Sequence, residues 1–300
     1  RLFVDEVQER YGVSVEILDW EAPKTDMAAI VLASTIAPPD SAVGEALDLM
    51  SPEDEEGFEI RTLDGPAMLL ASNTGAGVIY AVDHLLDGAQ TKDGCLVIPE
   101  TDISDAPDCK VRGSSFASHG HARFMEDPVD LAKMKELVRF YARHRVNCMT
   151  VEATGRRWPG DLTPLVSFKY FEPLQGAWRD TDIAMRREMI NAFISYAHSW
   201  GVRVILYTSE FNHQPDIYER CPELHGVLPE TWCEGRHNYI RGCMCLSKDI
   251  VWQYWRAKVV ETLEALPDLD GLEVWTAEVP SEFGICACGD CRNHSRSYWI

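Results

Sequence analysis

Four cysteines near the carboxyl end of the chain have the residue type and the spacing of a metal site. They are Cys245, Cys286, Cys288 and Cys291. Structural Zn²⁺ takes four thiolate or imidazole ligands in a tetrahedral arrangement, so one ion could join these cysteines. Cys243 and His294 are alternative ligands, and a disulfide between the two loops, or free thiols, is the alternative to a metal. A site filled by cysteine leaves no open position for water, so we expect a structural zinc and no cofactor for catalysis.

Three glutamates stand at the ends of predicted strands that belong to a parallel sheet. They are Glu152, Glu210 and Glu278. Parallel α/β folds carry their function at the carboxyl ends of the strands, where the following loops converge. Glycoside hydrolysis needs a carboxylic acid that protonates the leaving oxygen and a second carboxylate that acts as base or nucleophile. We predict that Glu278 is the general acid and that Glu210 and Glu152 bind or orient the sugar. A structural ion pair with a nearby arginine is the alternative for each.

Polar and aromatic side chains near these glutamates complete the predicted substrate site. Asn212 and His213 lie in the loop after the third strand, which is rich in side chains that bind hydroxyl groups. His119 follows the first strand, and Trp275 supplies an aromatic surface that could contact a sugar. The alternatives are hydrogen-bonded structure for the histidines and a core position for Trp275. Glu282 is a second candidate acid, with a solvated loop position as its alternative.

The pattern of apolar residues changes part-way along the chain. Before a polar boundary at residues 103–113, short β-rich runs surround one helix and indicate an α+β unit. Its strands are predicted at residues 13–18, 28–33, 57–62 and 67–72, and its helix runs through residues 80–86 to Gly88. Beyond the boundary, strands alternate with long amphipathic helices, which is typical of a parallel sheet. These strands are predicted at residues 111–117, 147–152, 202–210 and 271–278.

These elements predict the α/β fold class with two domains. We expect a small α+β accessory domain over residues 1–108 and the first half of a (β/α)8 TIM-type barrel over residues 109–300. Such a barrel closes with eight strands, so we expect this stretch to hold an incomplete, truncated barrel.

The helices of the predicted barrel carry apolar faces that should pack on the sheet. The second helix is marked by Ile183, Ile190, Phe193, Ile194 and Ala197. The third helix is marked by Val251, Trp252, Trp255, Val259 and Leu263. Asp130 is predicted to cap the first helix, and Ser247 is predicted to cap the third.

Composition excludes several classes of protein. The net charge of −20 argues against a nucleic-acid partner, because phosphate binding needs clustered lysine and arginine. No apolar run reaches the roughly 20 residues of a membrane span, so we expect a soluble protein with no membrane partner. The chain also has no Gly-rich phosphate loop, no G-x-S-x-G elbow and no H-E-x-x-H helix. It begins at Arg1, which indicates no localisation, and it leaves the oligomeric state open.

Four segments of the chain follow one another in an order that resembles known enzymes. They are residues 57–60, 72–86, 103–107 and 111–113. Together they resemble the accessory domain and barrel entry of family 20 β-hexosaminidases and family 67 α-glucuronidases. The resemblance implies an α+β domain before a (β/α)8 barrel, with the active site at the carboxyl face of the barrel and a carbohydrate substrate. It covers residues 55–155 well and the rest of the chain in outline.

The resemblance also bears on the catalytic residues. Family 20 enzymes carry an Asp-Glu pair after strand four, in which the Glu donates the proton and the Asp orients the acetamido group of the substrate. The matching pair here is Ala277-Glu278, so the donor is present and the Asp is absent. We predict an exo-acting glycoside hydrolase of carbohydrate metabolism with unassigned specificity. The alternative is a non-catalytic carbohydrate-binding or scaffold protein, and a metal or redox protein centred on the cysteines is a third hypothesis.

Overall fold

The computed structural model describes residues 2–14, 29–34, 55–63, 67–115, 128–152, 162–177, 180–208, 215–227, 244–274 and 286–294. The chain forms two compact units, of which unit 1 comprises residues 1–112 and 139–147, and unit 2 comprises residues 113–138 and 148–300. The domain boundary at residue 108 stays a prediction. In the part of the chain described, no helix combines the length and the apolar composition that a membrane crossing requires.

Unit 1 is an α+β unit built on a four-stranded sheet. Its elements are α1 (Leu2–Tyr11), β1 (Ala29–Ser34), β2 (Phe58–Leu63), β3 (Ala67–Ser72), α2 (Gly75–Asp87), β4 (Gln90–Lys92), β5 (Cys95–Val97) and β6 (Ile103–Asp105). The strand order is β1-β3-β2-β6, with β1 parallel to β3 and the other pairs antiparallel. Strands β4 and β5 form a separate two-stranded ribbon. The strands predicted at residues 28–33, 57–62 and 67–72 are confirmed, and most of the strand predicted at 13–18 lies outside the described residues.

Helix α2 lies close to the sheet of unit 1 because glycine occupies its first turn. The hydroxyl of Thr74 caps the helix by accepting a hydrogen bond from the N–H of Gly77 at 3.3 Å. A Cβ atom at Gly77 would stand 1.9 Å from the hydroxyl oxygen of Ser72 and 2.6 Å from the carbonyl oxygen of Gly57. Gly88 stands at the C-cap as predicted, although its φ of −85° is right-handed.

Substitution Gly77→Ala is expected to destabilise the protein by about 2 kcal/mol or more, because the buried Ser72 and a backbone carbonyl leave no room for the methyl group. Gly75→Ala is the matched control, since a Cβ there meets nothing within 4 Å. Urea unfolding of both variants measures the difference. Equal midpoints for the two variants would contradict the close packing.

Unit 2 contains the parallel sheet. Its elements are β7 (Gly113–Ser115), α3 (Pro128–Arg143, of which residues 139–143 belong to unit 1), β8 (Cys148–Glu152), α4 (Asp180–Ser199), β9 (Arg203–Thr208), α5 (Pro215–Arg220), α6 (Asp249–Ala265), β10 (Gly271–Val274) and α7 (Gly289–Arg292). Short 3-10 turns lie at Thr163–Leu165, Glu172–Leu174 and Pro222–Leu224. The strand order is β10-β9-β8-β7 and every pair is parallel.

The parallel α/β arrangement of unit 2 confirms the predicted fold class at this level. The four described strands form an open sheet and not a closed barrel. Helix α4 buries the five apolar residues that the sequence assigned to its inner face. Helix α3 begins at Pro128, so Asp130 lies inside its first turn and the predicted cap at this residue is wrong.

The buried face of α6 differs from the predicted one. The residues that it buries are Val251, Tyr254, Ala257, Lys258, Glu261 and Thr262. Of the predicted face only Val251 is fully buried, and Leu263 is 44% exposed. The buried face of α6 therefore lies on a different side of the helix from the predicted face. It includes a charged residue, Glu261, which is 1% exposed.

Glu261 is buried because its carboxylate is fully hydrogen-bonded. It accepts from the N–H and hydroxyl of Ser167 at 2.7 and 2.6 Å, from the N–H of Lys169 at 3.1 Å and from Arg187 at 2.7 Å. Burial raises the pKa of Glu261, but these hydrogen bonds outweigh burial and hold the pKa below its ordinary value. The carboxylate thus fixes the segment at residues 162–177 to α6.

Substitution Glu261→Ala is expected to destabilise unit 2 by about 3–5 kcal/mol, because it leaves Arg187 and two backbone N–H groups without their acceptor. Glu264→Ala is the matched control on the same helix, since Glu264 is an exposed partner of Lys169 and should have no measurable effect. Because the pKa of Glu261 is lowered in the folded state, its contribution exists above the ordinary value of 4.5 and disappears as the pH falls through the lowered pKa. Urea unfolding at neutral and acid pH measures both effects; an undiminished difference in strong acid would contradict them.

Candidate metal centre

The four cysteines that the sequence singled out lie together in unit 2. The Sγ atoms of Cys245, Cys286, Cys288 and Cys291 are all within 4.8 Å of one another. Three of them are buried, and Cys288 is half-buried. The Sγ of Cys245 lies 3.7 Å from that of Cys288 and 3.9 Å from that of Cys291. A disulfide joins its sulfurs at about 2 Å, whereas four thiolates around a tetrahedral zinc are about 3.8 Å apart. The four thiols are free and have the spacing of a tetrahedral ligand set.

The short segment that follows α5 positions Cys245. It also positions the start of the segment that carries Cys286, Cys288 and Cys291. Next to Cys245, Met244 forms an antiparallel bridge with His225, and the N–H of Cys245 donates to the carbonyl of Leu224 at 3.3 Å. Cys286 is held by Val227, whose N–H donates to the Sγ of Cys286 at 3.1 Å and whose carbonyl accepts from the N–H of Ala287 at 2.7 Å. Backbone pairing therefore brings together cysteines that are far apart in sequence.

The C-x-C-x2-C segment folds into a turn that points backbone N–H groups at sulfur. The N–H of Cys288 donates to the Sγ of Cys286 at 3.4 Å, and the N–H of Cys291 donates to the Sγ of Cys288 at 3.5 Å. Cys288 is also the N-cap of α7. Such donors favour a thiolate over a thiol.

The acidity of the thiols differs across the cluster. Burial raises the pKa of Cys288, but the hydrogen bonds from Cys291 and the neighbouring cysteines outweigh burial and lower the pKa to about 6. Burial raises the pKa of Cys286 and of Cys291 above the ordinary value. A metal that binds here must therefore displace protons from buried thiols, so its binding weakens as the pH falls.

Ser247 belongs to this cluster, which the sequence analysis missed. Its hydroxyl oxygen lies 3.1 Å from the Sγ of Cys245 and 3.9 Å from that of Cys288. The predicted cap at Ser247 is wrong, because α6 begins at Asp249 and its N-cap is Lys248, which makes no side-chain cap. A hydroxyl two residues after a ligand cysteine was the signal in the sequence. Metal sites commonly orient their ligands through such outer hydrogen bonds.

The other predicted site residues are only partly within the described chain. Glu152 is the last residue of β8, as predicted, and its side chain is not described. The remaining six lie outside the described residues; they are His119, Glu210, Asn212, His213, Trp275 and Glu278. Cys243 lies outside them as well, and His294 lies beyond α7 and is not part of the four-cysteine cluster. The catalytic and substrate-binding roles stay predictions.

Comparison with solved structures gives the fold of the chain a precedent. A family GH20 exo-β-N-acetylglucosaminidase from Vibrio harveyi, solved with N-acetylglucosamine, matches with a TM-score of 0.59 and 16% identity over 93% of this chain and 42% of its own. A β-N-acetylhexosaminidase from Bacteroides fragilis NCTC 9343 matches with a TM-score of 0.61 and 16% identity, over 97% of this chain and 52% of its own. The chain has a glycosidase-like fold. A GH138 enzyme targeting pectin rhamnogalacturonan II is also similar, with a TM-score of 0.57 and 16% identity over 92% of this chain and 29% of its own.

The comparisons confirm the predicted resemblance to family 20 β-N-acetylhexosaminidases as a similarity of structure at low sequence identity. The chain spans 29–52% of the length of the three structures described above. No protein-family model and no curated protein matches the sequence. The resemblance to family 67 α-glucuronidases stays a prediction.

Proposed function

We propose that the protein is a glycoside hydrolase that cleaves O-glycosidic bonds at a chain end. The observation that carries this proposal is the similarity of fold to GH20 glycosidases over 93–97% of the chain. In this proposal the four parallel strands are the first four of a (β/α)8 barrel, and a carbohydrate binds at their carboxyl ends. The fold by itself does not fix the chemistry, so the proposal depends on the residues at those ends.

Glu278 is the residue that we assign as general acid. It stands four residues after the last residue of β10, the fourth strand of the parallel sheet. A protonated carboxyl group there would donate its proton to the leaving oxygen, while a second carboxylate acts as base or nucleophile. Glu152 and Glu210 would orient the sugar at the ends of β8 and β9, and Trp275 would contact a sugar face. Asn212, His213 and His119 would bind hydroxyl groups.

We further infer that the four-cysteine cluster holds Zn²⁺ in a structural role. Four soft thiolates in a tetrahedral arrangement suit zinc or iron–sulfur chemistry, and the spacing within 4.8 Å suits a single ion. Four cysteine ligands fill the coordination sphere, so the ion would have no position for a substrate or for an attacking water. No step of the proposed hydrolysis therefore passes through the metal.

A release assay on the purified protein tests the proposed function. The panel contains nitrophenyl derivatives of N-acetylglucosamine, N-acetylgalactosamine, other neutral sugars and glucuronic acid. We expect turnover of at least one member, and an oligosaccharide of that sugar should shorten one unit at a time from one end. Products of internal cleavage would overturn the exo mode. The absence of turnover together with the absence of binding to every sugar would overturn the proposal.

Ala277 favours a second function, that of a carbohydrate-binding protein without hydrolysis. It stands where family 20 enzymes carry the Asp of the Asp-Glu pair. A barrel without this Asp could keep its affinity for sugars while losing catalysis. Calorimetric binding of a sugar that the protein never cleaves would support this function over the first.

A further inference from the structure

Residues 221–227 contribute no cysteine to the cluster. They contact both of the chain segments that carry its cysteines. From the side of Cys245, the ammonium of Lys248 donates to the carbonyl oxygens of Glu223 and His225 at 2.9 and 3.0 Å. On the side of the C-x-C-x2-C segment, Val227 exchanges two hydrogen bonds with Cys286 and Ala287. The segment is thus held between the two ligand-bearing parts of the chain.

These segments begin at neighbouring positions of the parallel sheet. Thr208 and Val274 are the last residues of β9 and β10, and they are register partners. From Thr208 the chain leads to α5 and then to residues 221–227, and from Val274 it leads to Cys286. The two strands therefore end side by side, and the described segments that follow each of them meet at the cluster.

The cysteines form a small buried cluster of their own in the described part of the chain. The buried apolar cluster there consists of Cys245, Cys286 and Cys291, with Cys288 packed against it. Helix α7, which carries Cys291, has only four residues. The three thiols that are buried contribute little apolar surface themselves, and Leu224, Met244 and Leu246 are buried beside them. An ion bound by four thiolates would add strong ligand bonds between the segments to this packing.

We propose that the metal at Cys245, Cys286, Cys288 and Cys291 cross-links the ends of the connections that follow β9 and β10, and thereby sets the spacing between them. The first connection carries Glu210 and the second carries Glu278, so the cross-link positions the two predicted catalytic loops relative to each other. This consequence for catalysis rests on the proposed function; the cross-link itself does not. The cysteines are positioning residues and touch no substrate.

Hydrogen exchange of the whole protein tests the cross-link. Wild-type protein loaded with Zn²⁺ is compared with metal-stripped protein and with Cys291→Ala. Cys148→Ala is the matched control, because Cys148 is a buried free cysteine of unit 2 that lies outside the cluster. We expect loss of metal to accelerate exchange at least tenfold in residues 221–227 as well as in residues 286–294, and the control to keep both its zinc and its protection.

The response of residues 221–227 decides the question, because that segment holds no ligand. Acceleration confined to 286–294 would mean that the ion folds only its own turn, and it would overturn the cross-link. A wild-type protein that binds no metal at all would overturn it as well.

Kinetics separate this proposal from the proposed function. If the protein is a hydrolase, the cross-link predicts that metal loss lowers kcat and raises KM together, since both loops are displaced. An unchanged kcat and KM in the metal-free protein would overturn the positioning role. If wild-type protein cleaves no glycoside, the proposed function fails while the exchange pattern still decides the cross-link.

Discussion

Removal of zinc is expected to lower the thermal midpoint of the protein by on the order of 10 °C. A ligand at a thousand times its dissociation constant stabilises the folded state by about 4 kcal/mol, and each kcal/mol shifts Tm by about 2–4 °C for a domain of this size. The folded chain brings four thiols within 4.8 Å, an arrangement that the unfolded chain lacks, so almost all of the binding free energy becomes folding free energy. Calorimetry across a series of free Zn²⁺ concentrations measures the shift.

Two variants make the zinc prediction specific. Cys245→Ser removes the ligand that is most distant in sequence and should make Tm nearly independent of zinc, while Cys148→Ala should respond to zinc as the wild type does. Metal analysis should find one zinc per wild-type chain, and Co²⁺ in its place should show the strong sulfur-to-metal absorption of a thiolate site. A Tm that changes neither with a chelator nor with added zinc would refute the site.

Substitution Glu278→Gln is expected to reduce kcat by about 10²–10⁴-fold, because the amide cannot donate the proton that the leaving oxygen requires. The loss should be largest for alkyl glycosides and smallest for dinitrophenyl glycosides, whose leaving group departs without help. A general acid works only while protonated, so the wild-type rate should fall at high pH and the variant should lack that limb. Steady-state kinetics against leaving group and pH measure these effects.

Glu282→Gln is the matched control for this assignment, since Glu282 lies four residues further along the same connection. It should leave the rate, the leaving-group dependence and the pH profile close to those of the wild type. Equal losses in the two variants would point to a general disturbance of the connection. A large loss in Glu282→Gln alone would transfer the role of acid to that residue.

The helices show what apolar periodicity can and cannot predict. Helix α4 buries Ile183, Phe193 and their neighbours as predicted, because its fully buried residues are all apolar and recur with the helical period. Helix α6 was predicted with the wrong face, because its buried side includes Glu261 and Lys258, and periodicity assigns charged residues to the solvent. Glu261 can be buried because it pairs with Arg187. That partner stands 74 positions away in the sequence. A local pattern cannot report a partner at that distance.

In the candidate site as well, the sequence predicts local features and misses those that depend on distant contacts. The residue type and spacing of Cys286, Cys288 and Cys291 were enough to predict a local ligand group, because the turn that joins them is short. That Cys245 joins the other three cysteines depends on backbone pairing with residues 221–227, which a sequence pattern does not reveal. Ser247 was assigned to a helix cap because its type favours caps, yet its hydroxyl lies against Cys245. Its sequence context fits both roles, and only the point where α6 begins separates them.

The distance along the chain between the ligands has a consequence for how the protein folds. Cys245 is 43 positions from Cys288 and 46 from Cys291, and α6 and β10 lie in the stretch between. An unfolded chain that has captured zinc at the C-x-C-x2-C turn and then at Cys245 has already closed that stretch into a loop. The loop-closure entropy of the stretch that holds α6 and β10 is then lost before the sheet forms. Zinc would then speed refolding as well as oppose unfolding, because contacts within a loop that is already closed form faster than contacts that must first close it.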